Sequence, residues 1–482
     1  MRVLFIEPPP VMNWSGCHSG ITTAGRRHPG LNFTGEKVYS YLNLSAAAVL
    51  REQDHEVFYI HCQTENVTLD KLKERILEIT PNMLVIMVEH INLNVSNAVA
   101  QIAKANKDMR VTFVGPLATS LDREIIKLNC DYVIRKEWDY ALYNLVEAIE
   151  NKTAISEVRG ITYKENGKIK RTDEAELIED LDSLPFPAYD LVDISKFYEA
   201  VFSHFPTATG ITSRGCPYKC VFCSFPKTIY SRKFRAQSPE RVLEEAKYLK
   251  EKFSVKAIRY DDDTFDIDTK RVLRICELFR KEKLGIKWII QSRPALMTYE
   301  IAKELKSAGC DMVLFGVESG DDKVLKAINK ETTTEEIKRG VRNAQKAGLD
   351  ILNCVMLGFY WDTEETIQKT IDFAFELNAE FTQFSTPIPL PGTDYYKLLA
   401  ELGFIVSDKW ENADSFHNSN VDFPHLSNEY INEVLKGIYK RYYVRPDYVW
   451  KMFKRTFKSK DNFIQIFRLI RAFYQRHQQN WM

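Results

Sequence analysis

Three cysteines lie within eight positions of one another in the stretch SRGCPYKCVFCSFP, and they are Cys216, Cys220 and Cys223. A structural zinc site normally takes four ligands in paired spacings, but the nearest further candidates, His204 and Cys276, do not form a second pair. Three thiolates from one loop instead suit a 4Fe–4S cluster in which one iron has no protein ligand. An open iron is useful only if a second molecule binds it.

The motif and its position resemble those of the radical S-adenosylmethionine (SAM) enzymes, in which CxxxCxxC follows the first strand of a (β/α)6 barrel. In that family the amino and carboxylate groups of SAM bind the fourth iron, and one electron from the cluster cleaves the sulfonium. The resemblance therefore implies a 5′-deoxyadenosyl radical that abstracts hydrogen from a small-molecule substrate. It also implies an external electron donor, such as a flavodoxin or ferredoxin.

Further stretches resemble the same family and imply contacts with SAM. FGVESG, at 315–320, resembles the fourth-strand pattern GxESG, and YDDDTFD, at 260–266, resembles an acidic second-strand end. QSRPALMT, at 291–298, follows the third-strand pattern and offers a partner for a carboxylate, and an aromatic residue before the last cysteine matches the position beside the adenine. The residues that the resemblance assigns to SAM are Phe222, Asp262, Asp263, Arg293, Glu318 and Ser319. VMLGFYWDTEET departs from the usual fifth-strand GLPGET at Tyr360 and Trp361, which predicts a different substrate edge there.

The elements that must position these residues are read from the alternation of apolar runs and amphipathic stretches. Residues 1–150 contain five strand–helix units and predict a parallel, Rossmann-like (flavodoxin-like) sheet covered on both faces. Residues 151–200 predict a hairpin around Asn166-Gly167 and a proline-rich linker. Residues 201–400 contain six strand–helix repeats, which predict a partial TIM-type barrel, and residues 401–482 predict a helical region. The predicted fold class is α/β.

An N-terminal domain of this kind before such a barrel resembles the cobalamin-binding subgroup of radical SAM enzymes. VTFVGPLATS, at 111–120, resembles that subgroup's GGPHAT loop, and the residues that carry the likeness are Gly115, Pro116, Ala118 and Thr119. Leu117 replaces the histidine of that loop, and DYVIRKEWDYAL lacks the two glycines of a second turn. The resemblance implies bound cobalamin. The alternative is a domain that stiffens the barrel or lines the substrate pocket without a corrin.

With cobalamin, the implied reaction is methylation of an unactivated C–H position, or a radical cyclisation or rearrangement, in natural-product or lipid biosynthesis. Without cobalamin, the alternative is a radical dehydratase, dehydrogenase or epimerase that acts on a sugar-like or aminoglycoside-like metabolite. A third alternative is a non-catalytic or RNA-acting iron–sulfur protein. RNA-modifying relatives usually carry a basic, strand-rich tail, whereas this C-terminal region has helical periodicity. We therefore do not expect nucleic acid as a partner.

The composition is consistent with a cytoplasmic enzyme. Lys plus Arg and Asp plus Glu both number 66, so the formal net charge is zero and gives no support to nonspecific binding of nucleic acid or an anionic membrane. Six of the nine cysteines are scattered singly, as in reduced proteins, and no apolar run is long enough for a transmembrane segment. The basic, aromatic stretch RYYVRPDYVWKMFKRTFK is expected to be a solvated helix face.

Overall fold

The computed structural model of the 482-residue chain describes residues 1–9, 11–12, 18–19, 37–197, 202–406, 420–457 and 463–464. The strands in these ranges form two main sheets, of seven and six strands, against which the helices pack, in line with the α/β fold that the sequence predicts. None of the helices in these ranges is long and apolar enough to cross a lipid bilayer.

The first sheet lies within residues 1–171. The strands of that range are β1 (Arg2–Glu7), β2 (Val11–Met12), β3 (His18–Ser19), β4 (Glu56–His61), β5 (Met83–Met87), β6 (Arg110–Val114), β7 (Tyr132–Ile134), β8 (Ile161–Glu165) and β9 (Lys168–Arg171). β2 and β3 pair with each other, and the other seven form one sheet in the order β4-β1-β5-β6-β7-β8-β9. The five strands from β4 to β7 are parallel, whereas β8 and β9 are antiparallel. The hairpin predicted around Asn166-Gly167 is therefore present, and it extends the first sheet.

Both faces of this sheet are covered by helices. The helices are α1 (Tyr41–Glu52), α2 (Cys62–Glu65), α3 (Leu69–Ile79), α4 (Leu93–Lys104), α5 (Pro116–Ser120), α6 (Asp122–Ile125) and α7 (Asp139–Glu150). Alternate residues of β1 enter different cores: Val3 and Phe5 pack on the side of α1 and α7, and Leu4 and Ile6 on the side of α3 and α4. Burial on both faces explains why this strand is a continuous apolar run.

The second sheet contains the six parallel strands of the partial barrel. The strands of the remaining chain are β10 (Thr207–Gly210), β11 (Ser213–Arg214), β12 (Arg235–Ala236), β13 (Ala257–Tyr260), β14 (Lys287–Ser292), β15 (Cys310–Glu318), β16 (Asp350–Met356) and β17 (Phe381–Ser385). The order is β10-β13-β14-β15-β16-β17, so each strand lies beside the next along the chain, and β11 and β12 form a separate antiparallel pair. Six strand–helix repeats were the expectation, and the structure confirms them.

The helices that follow cover the outside of the barrel and then its open edge. They are α8 (Phe225–Thr228), α9 (Pro239–Phe253), α10 (Thr269–Lys281), α11 (Tyr299–Ser307), α12 (Asp322–Ala327), α13 (Thr334–Lys346), α14 (Glu364–Leu377), α15 (Asp394–Glu401), α16 (Asn428–Tyr443) and α17 (Pro446–Thr456). The Ser238 hydroxyl accepts the Arg241 amide at the start of α9, as the Ser-Pro pair predicts.

Tyrosines of α16 protect the edge strand β17. The Tyr439 hydroxyl donates to the Phe384 carbonyl at 2.9 Å and accepts the Phe384 amide at 3.1 Å. The Tyr443 hydroxyl makes the same pair of bonds with Thr382, both at 2.8 Å. These hydroxyls occupy the groups that another strand would otherwise pair with. Much of the predicted C-terminal helical region, at 407–419, 458–462 and 465–482, lies outside the described residues.

The carboxyl ends of the strands in the two sheets face each other. Tyr39, which precedes α1, accepts the Thr209 amide at 2.8 Å through its hydroxyl, and the Tyr41 hydroxyl donates to the Ile211 carbonyl at 3.3 Å. α5, which follows β6, packs against α8, which follows the cysteine loop. The loops at these two edges therefore form one shared region, which contains the residues that the sequence singles out.

Candidate active site

The cysteine loop leaves β11 through a backbone conformation that only glycine accepts without strain. Gly215 has φ +88°, and a Cβ there would lie 2.1 Å from the Lys233 carbonyl oxygen. Farther along, the Val221 amide donates to the Ile328 carbonyl and the Val221 carbonyl accepts the Tyr395 amide, both at 3.0 Å. The loop is therefore fixed at its start and at its middle by backbone contacts with distant segments.

The three cysteines lie together on this fixed loop. Cys216 and Cys220 are buried and Cys223 is half-buried. Burial raises the pKa of the Cys216 and Cys223 thiols above their usual range. Coordination by a metal deprotonates a thiol outright, and thiolates in an enclosed loop are the donors that iron–sulfur clusters use. The residues present therefore fit a cluster bound by three thiolates.

Two acidic residues after β13 hold the start of the cysteine loop from one side. The Asp262 carboxylate is fully buried and accepts the Thr212 amide and hydroxyl, at 2.7 and 2.6 Å, and the Ser213 hydroxyl at 2.7 Å. Asp263 accepts the Gly215 amide at 2.9 Å. These bonds show that the acidic strand end positions the residues just before the cysteines. A direct contact of either carboxylate with SAM remains a prediction.

Arg293 connects the cysteine loop with the end of β15. Its guanidinium carbon lies 3.6 Å from the centre of the Tyr218 ring, and its Nη1 lies 3.6 Å from Cys220 Sγ. Its Nη2 donates to the Lys330 carbonyl. The Lys330 ammonium in turn lies 2.9 Å from Glu318 Oε1, and both side chains are buried. A cation and a carboxylate thus lie beside the cysteine loop, which suits a ligand that carries both charges.

Glu318 has a backbone conformation that is rare outside glycine. Its φ is +62°, and the β15–β16 register shifts between Gly316 and Glu318. Such a conformation costs on the order of 1–3 kcal/mol and is concentrated at functional sites. A Cβ at Gly316 would lie 2.5 Å from Glu318 Oε1 and 2.7 Å from Lys330 Nζ, so this glycine makes room for the ion pair.

Ser319 and Phe222 are also predicted to contact SAM, but their neighbours are hydroxyl, amide and aromatic groups and not charged side chains. The Ser319 hydroxyl is buried, lies 3.2 Å from Thr370 Oγ1 and accepts the Asp321 amide at 3.2 Å. The Phe222 ring lies 5.4 Å from the Phe359 ring, so it packs against the segment that follows β16. Ser319 therefore helps to join β15 to α14, and Phe222 has one described aromatic neighbour.

Buried charges bind the base of the cysteine loop to the first domain. Arg214 precedes Gly215, and its guanidinium donates to both carboxylate oxygens of Asp139, at 2.9 and 3.1 Å, and to Glu137 at 3.3 Å. Arg235 donates to Glu137 as well, and all four side chains are buried. The roles of Glu137 and Asp139 are not predicted by the sequence, because their segment resembles a turn that has lost its glycines.

The loop predicted after β6 begins at Gly115 and continues as the short helix α5, and its small residues serve mainly for packing within the first domain. Gly115 has φ +106°, and a Cβ there would lie 2.9 Å from Met87 Cγ and 3.0 Å from the Val88 carbonyl oxygen. Ala118 is buried, and the Thr119 hydroxyl accepts the Lys136 amide at 2.9 Å. Pro116 and Thr119 are half-buried. Gly115 thus lets this loop approach the end of β5, and the half-buried positions are the ones left to contact a ligand.

Comparisons with known proteins agree with this geometry. The Radical SAM superfamily matches residues 211–374. An uncharacterized methyltransferase of Pyrococcus horikoshii is 31% identical over 409 residues, which cover 84% of this chain and 88% of that protein. An anaerobic magnesium-protoporphyrin IX monomethyl ester cyclase of Rubrivivax gelatinosus is 25% identical over 410 residues, which cover 83% of this chain and 70% of the cyclase.

A solved structure has the same two-domain fold. It is that of OxsB, a cobalamin-dependent S-adenosylmethionine radical enzyme, with aqua-cobalamin and SAM bound, and it matches with a TM-score of 0.65 at 20% identity. The match covers 83% of this chain and 55% of OxsB, so this chain spans little more than half of that enzyme.

Three thiols at the carboxyl edge of a six-stranded parallel barrel define an iron–sulfur enzyme of the radical type. The chain belongs to the radical SAM superfamily. Its cofactors therefore include a 4Fe–4S cluster and SAM.

Proposed function

We propose that this protein is a cobalamin-dependent radical SAM enzyme that methylates an unactivated carbon of a small molecule. The observation that carries the proposal is the way the two carboxyl edges meet. The loop after β6 and the segment after β7 both contact the cysteine-loop region of the barrel. Ligands of open α/β sheets bind beyond the carboxyl ends of the strands, so a ligand of the first domain would lie next to the cluster.

In this proposal the three cysteines would hold the cluster through three of its irons, and SAM would bind the fourth. Glu318 and Lys330 offer one charge of each sign to the amino acid part of SAM, and Arg293 fixes their position through the Lys330 carbonyl. Phe222 is proposed to lie against the adenine, and Asp262, Asp263 and Ser319 support the loops around it. When bound, the cluster and SAM together supply the radical that removes a hydrogen atom from the substrate.

Cobalamin is proposed to lie between the two domains, against the loop of Gly115, Pro116, Ala118 and Thr119. Two facts support this position: the contact of α5 with α8, and the two-domain likeness to an enzyme solved with aqua-cobalamin bound. The corrin would supply the methyl group. Within this loop, Pro116 and Thr119 are the residues whose side chains are not already enclosed.

Methylation is favoured as the reaction because the relative that is 31% identical is named a methyltransferase. The match to a ring cyclase supports the second candidate, a radical cyclisation on the same cofactors. The substrate class is proposed to be a natural product or a lipid. The external electron donor is proposed to be a flavodoxin or ferredoxin.

The test is anaerobic reconstitution with iron, sulfide and hydroxocobalamin, followed by desalting, absorbance spectroscopy and assay of SAM cleavage. We expect a cluster, a retained corrin and formation of 5′-deoxyadenosine. In Thr119→Trp, a bulky side chain at a half-buried position of the corrin loop should reduce corrin retention while iron content stays normal. A wild-type protein that makes 5′-deoxyadenosine but retains no corrin would contradict the cobalamin proposal and favour the radical dehydratase, dehydrogenase or epimerase.

A further inference from the structure

The half-buried residues of four barrel strands lie on one face of the sheet. Trp288 of β14 packs on Phe279 of α10, with 5.6 Å between the ring centres, and Phe384 of β17 packs on Tyr439 of α16, with 5.8 Å. Side chains alternate between the two faces of a strand, so the intervening residues point away from these helices and into the barrel. Beyond the first two residues of each of β14, β15, β16 and β17, every half-buried residue lies on this inner face by strand register. These residues are Gln291, Leu314, Gly316, Cys354 and Gln383.

Strand register arranges this face in two rows that lead away from the predicted SAM site. Gly316 begins one row, and it is the glycine that makes room for the Glu318–Lys330 ion pair. Because neighbouring strands lie about 4.8 Å apart, Gln383, two strands farther on, is about 10 Å from this glycine. The paired residues are Gln291–Leu314–Leu352 in one row and Gly316–Cys354–Gln383 in the other. We call these six residues the inner wall.

The two amides of the inner wall differ in their hydrogen bonds. Gln291 donates through Nε2 to the buried carboxylate of Asp261, which also pairs with Arg259 at 3.0 Å. The half-buried Gln383 amide, by contrast, makes no hydrogen bond with any residue that the structure describes. A glutamine amide offers two donors and an acceptor, and enclosed polar groups are normally hydrogen-bonded. The free amide of Gln383 therefore points to a ligand that occupies the inside of the barrel.

We propose that the inner wall contacts the substrate and that Gln383 selects an uncharged hydrogen-bonding group on an apolar carbon skeleton. The inference rests on the proposed function, because it places the substrate beside the SAM site. Leu314 and Leu352 supply apolar surface, and none of the six residues carries a charge. An ionic group against this wall would lose hydration without gaining an opposite charge from it. A hydroxyl, carbonyl or amide group, in contrast, can pair with Gln383.

Cys354 is the other polar residue of the inner wall, and it lies between Gly316 and Gln383. A thiol is a weak donor and a weak acceptor, so it discriminates less between ligands than an amide does. Selection by hydrogen bonding is therefore assigned to Gln383, and the fit of the carbon skeleton to the two leucines and the thiol.

The experiment measures the affinity of the reconstituted, SAM-saturated enzyme for 2-naphthol, 2-methylnaphthalene and 2-naphthoate. No reductant is added, so SAM is not consumed during the fluorescence titration. The first two probes differ by a hydroxyl in place of a methyl group, so the ratio of their Kd values reports the hydrogen bond. We expect 2-naphthol to bind roughly two- to tenfold more tightly than 2-methylnaphthalene, which is the range of one neutral hydrogen bond. The anionic 2-naphthoate should bind at least roughly tenfold more weakly than 2-naphthol.

Gln383→Leu removes the hydrogen-bonding group at similar size, so the preference for 2-naphthol should disappear. Gln383→Met, an unbranched replacement, should give the same result. Iron content and the Kd for SAM should stay at their wild-type values in both variants, because Gln383 lies two strands from the Glu318–Lys330 pair. Gln101→Leu is the matched control, because Gln101 is exposed on α4 of the first domain, and it should keep the wild-type ratio.

A wild-type preference for 2-naphthol that both Gln383 variants retain would overturn the proposal. Binding of 2-naphthoate as tight as that of 2-naphthol would also overturn it, as would a wild-type enzyme that binds none of the three probes. These failures are distinguishable from failure of the proposed function, because corrin retention and 5′-deoxyadenosine formation are measured without the probes. An enzyme that passes those two tests but shows an unchanged ratio in the variants would contradict the role of Gln383 alone.

Discussion

Replacing Glu318 by glutamine tests the assignment of the SAM site with little change of shape. The amide keeps the size of the side chain but removes the negative charge that lies 2.9 Å from the Lys330 ammonium. Both side chains are buried, so water cannot replace the lost charge easily. If Glu318 binds a charged group of SAM, the variant should bind SAM more weakly while the cluster still assembles.

The magnitude follows from the burial of the site. A hydrogen bond to a charged group contributes about 1.5–3 kcal/mol. Since about 1.4 kcal/mol corresponds to a factor of ten in affinity, Glu318→Gln should raise the Kd for SAM roughly ten- to hundredfold. Lys330→Met removes the other half of the ion pair. A similar loss in that variant would show that SAM needs both charges, and a smaller loss would assign the contact mainly to Glu318.

The assay is anaerobic calorimetric titration of the reconstituted enzyme with SAM, accompanied by iron analysis of each sample. Glu335→Gln is the matched control, because Glu335 forms an exposed ion pair with Lys338 at 3.0 Å and its loss should leave the Kd unchanged. An unchanged Kd in Glu318→Gln at full iron content would remove Glu318 from the site. The left-handed conformation of Glu318 would then need another explanation.

Three further predictions test the cluster, the domain junction and a buried carboxyl. Changing all three motif cysteines to alanine should abolish cluster absorbance, and a variant with wild-type iron content would refute the assignment. Asp139→Ala removes the closest partner of buried Arg214 and should lower the free energy of unfolding in urea by about 3–5 kcal/mol. The control is Asp190→Ala, which removes an exposed partner of Arg51 and should lower it by less than about 1 kcal/mol, and equal losses in the two variants would contradict this. Burial raises the pKa of Asp362 from 3.8 to about 6, so its ionisation destabilises the folded state. The free energy of unfolding of the wild type is highest below the unfolded pKa and should fall by about 2 kcal/mol relative to Asp362→Asn as pH rises from about 4 to about 7, and parallel pH profiles would contradict this.

The fold could be predicted largely from the sequence because its strands are buried on both faces. RVLFIE and KWIIQSR are apolar runs of strand length, and helices with strong amphipathic periodicity separate such runs along the chain. The pairing of strands that are distant in sequence is harder to predict. Asn166-Gly167 predicts the hairpin at Ile161–Arg171, but only the structure shows that Ile161 pairs with Ile134, which adds the hairpin to the first sheet. Local turn chemistry does not encode that distant partner.

The candidate site was predictable where the chemistry depends on spacing and not where it depends on packing. The three cysteines are fixed by their intervals, whereas Lys330 reaches Glu318 across twelve residues with no periodicity to mark it. Gly115 is the converse case. Its motif predicts a close approach to a ligand, but the space beside its Cα is filled by Met87 and Val88.

The distribution of charge along the chain likewise cannot be inferred from the net charge alone. A net charge of zero argues against an anionic surface only if the charges are mixed, and here the last 34 residues contain eight Lys and Arg and one Asp, a net charge of +7. The sequence predicts that the basic, aromatic stretch RYYVRPDYVWKMFKRTFK is a solvated helix face. α17 is a helix, but Trp450 and Phe453 are among the side chains that it exposes. Lys451 and Arg455 instead turn inward and pair with Glu380 and Asp350. Spacing predicts the helix, but the face that it turns to solvent is set by the strand ends against which it packs, and a local pattern does not encode those partners.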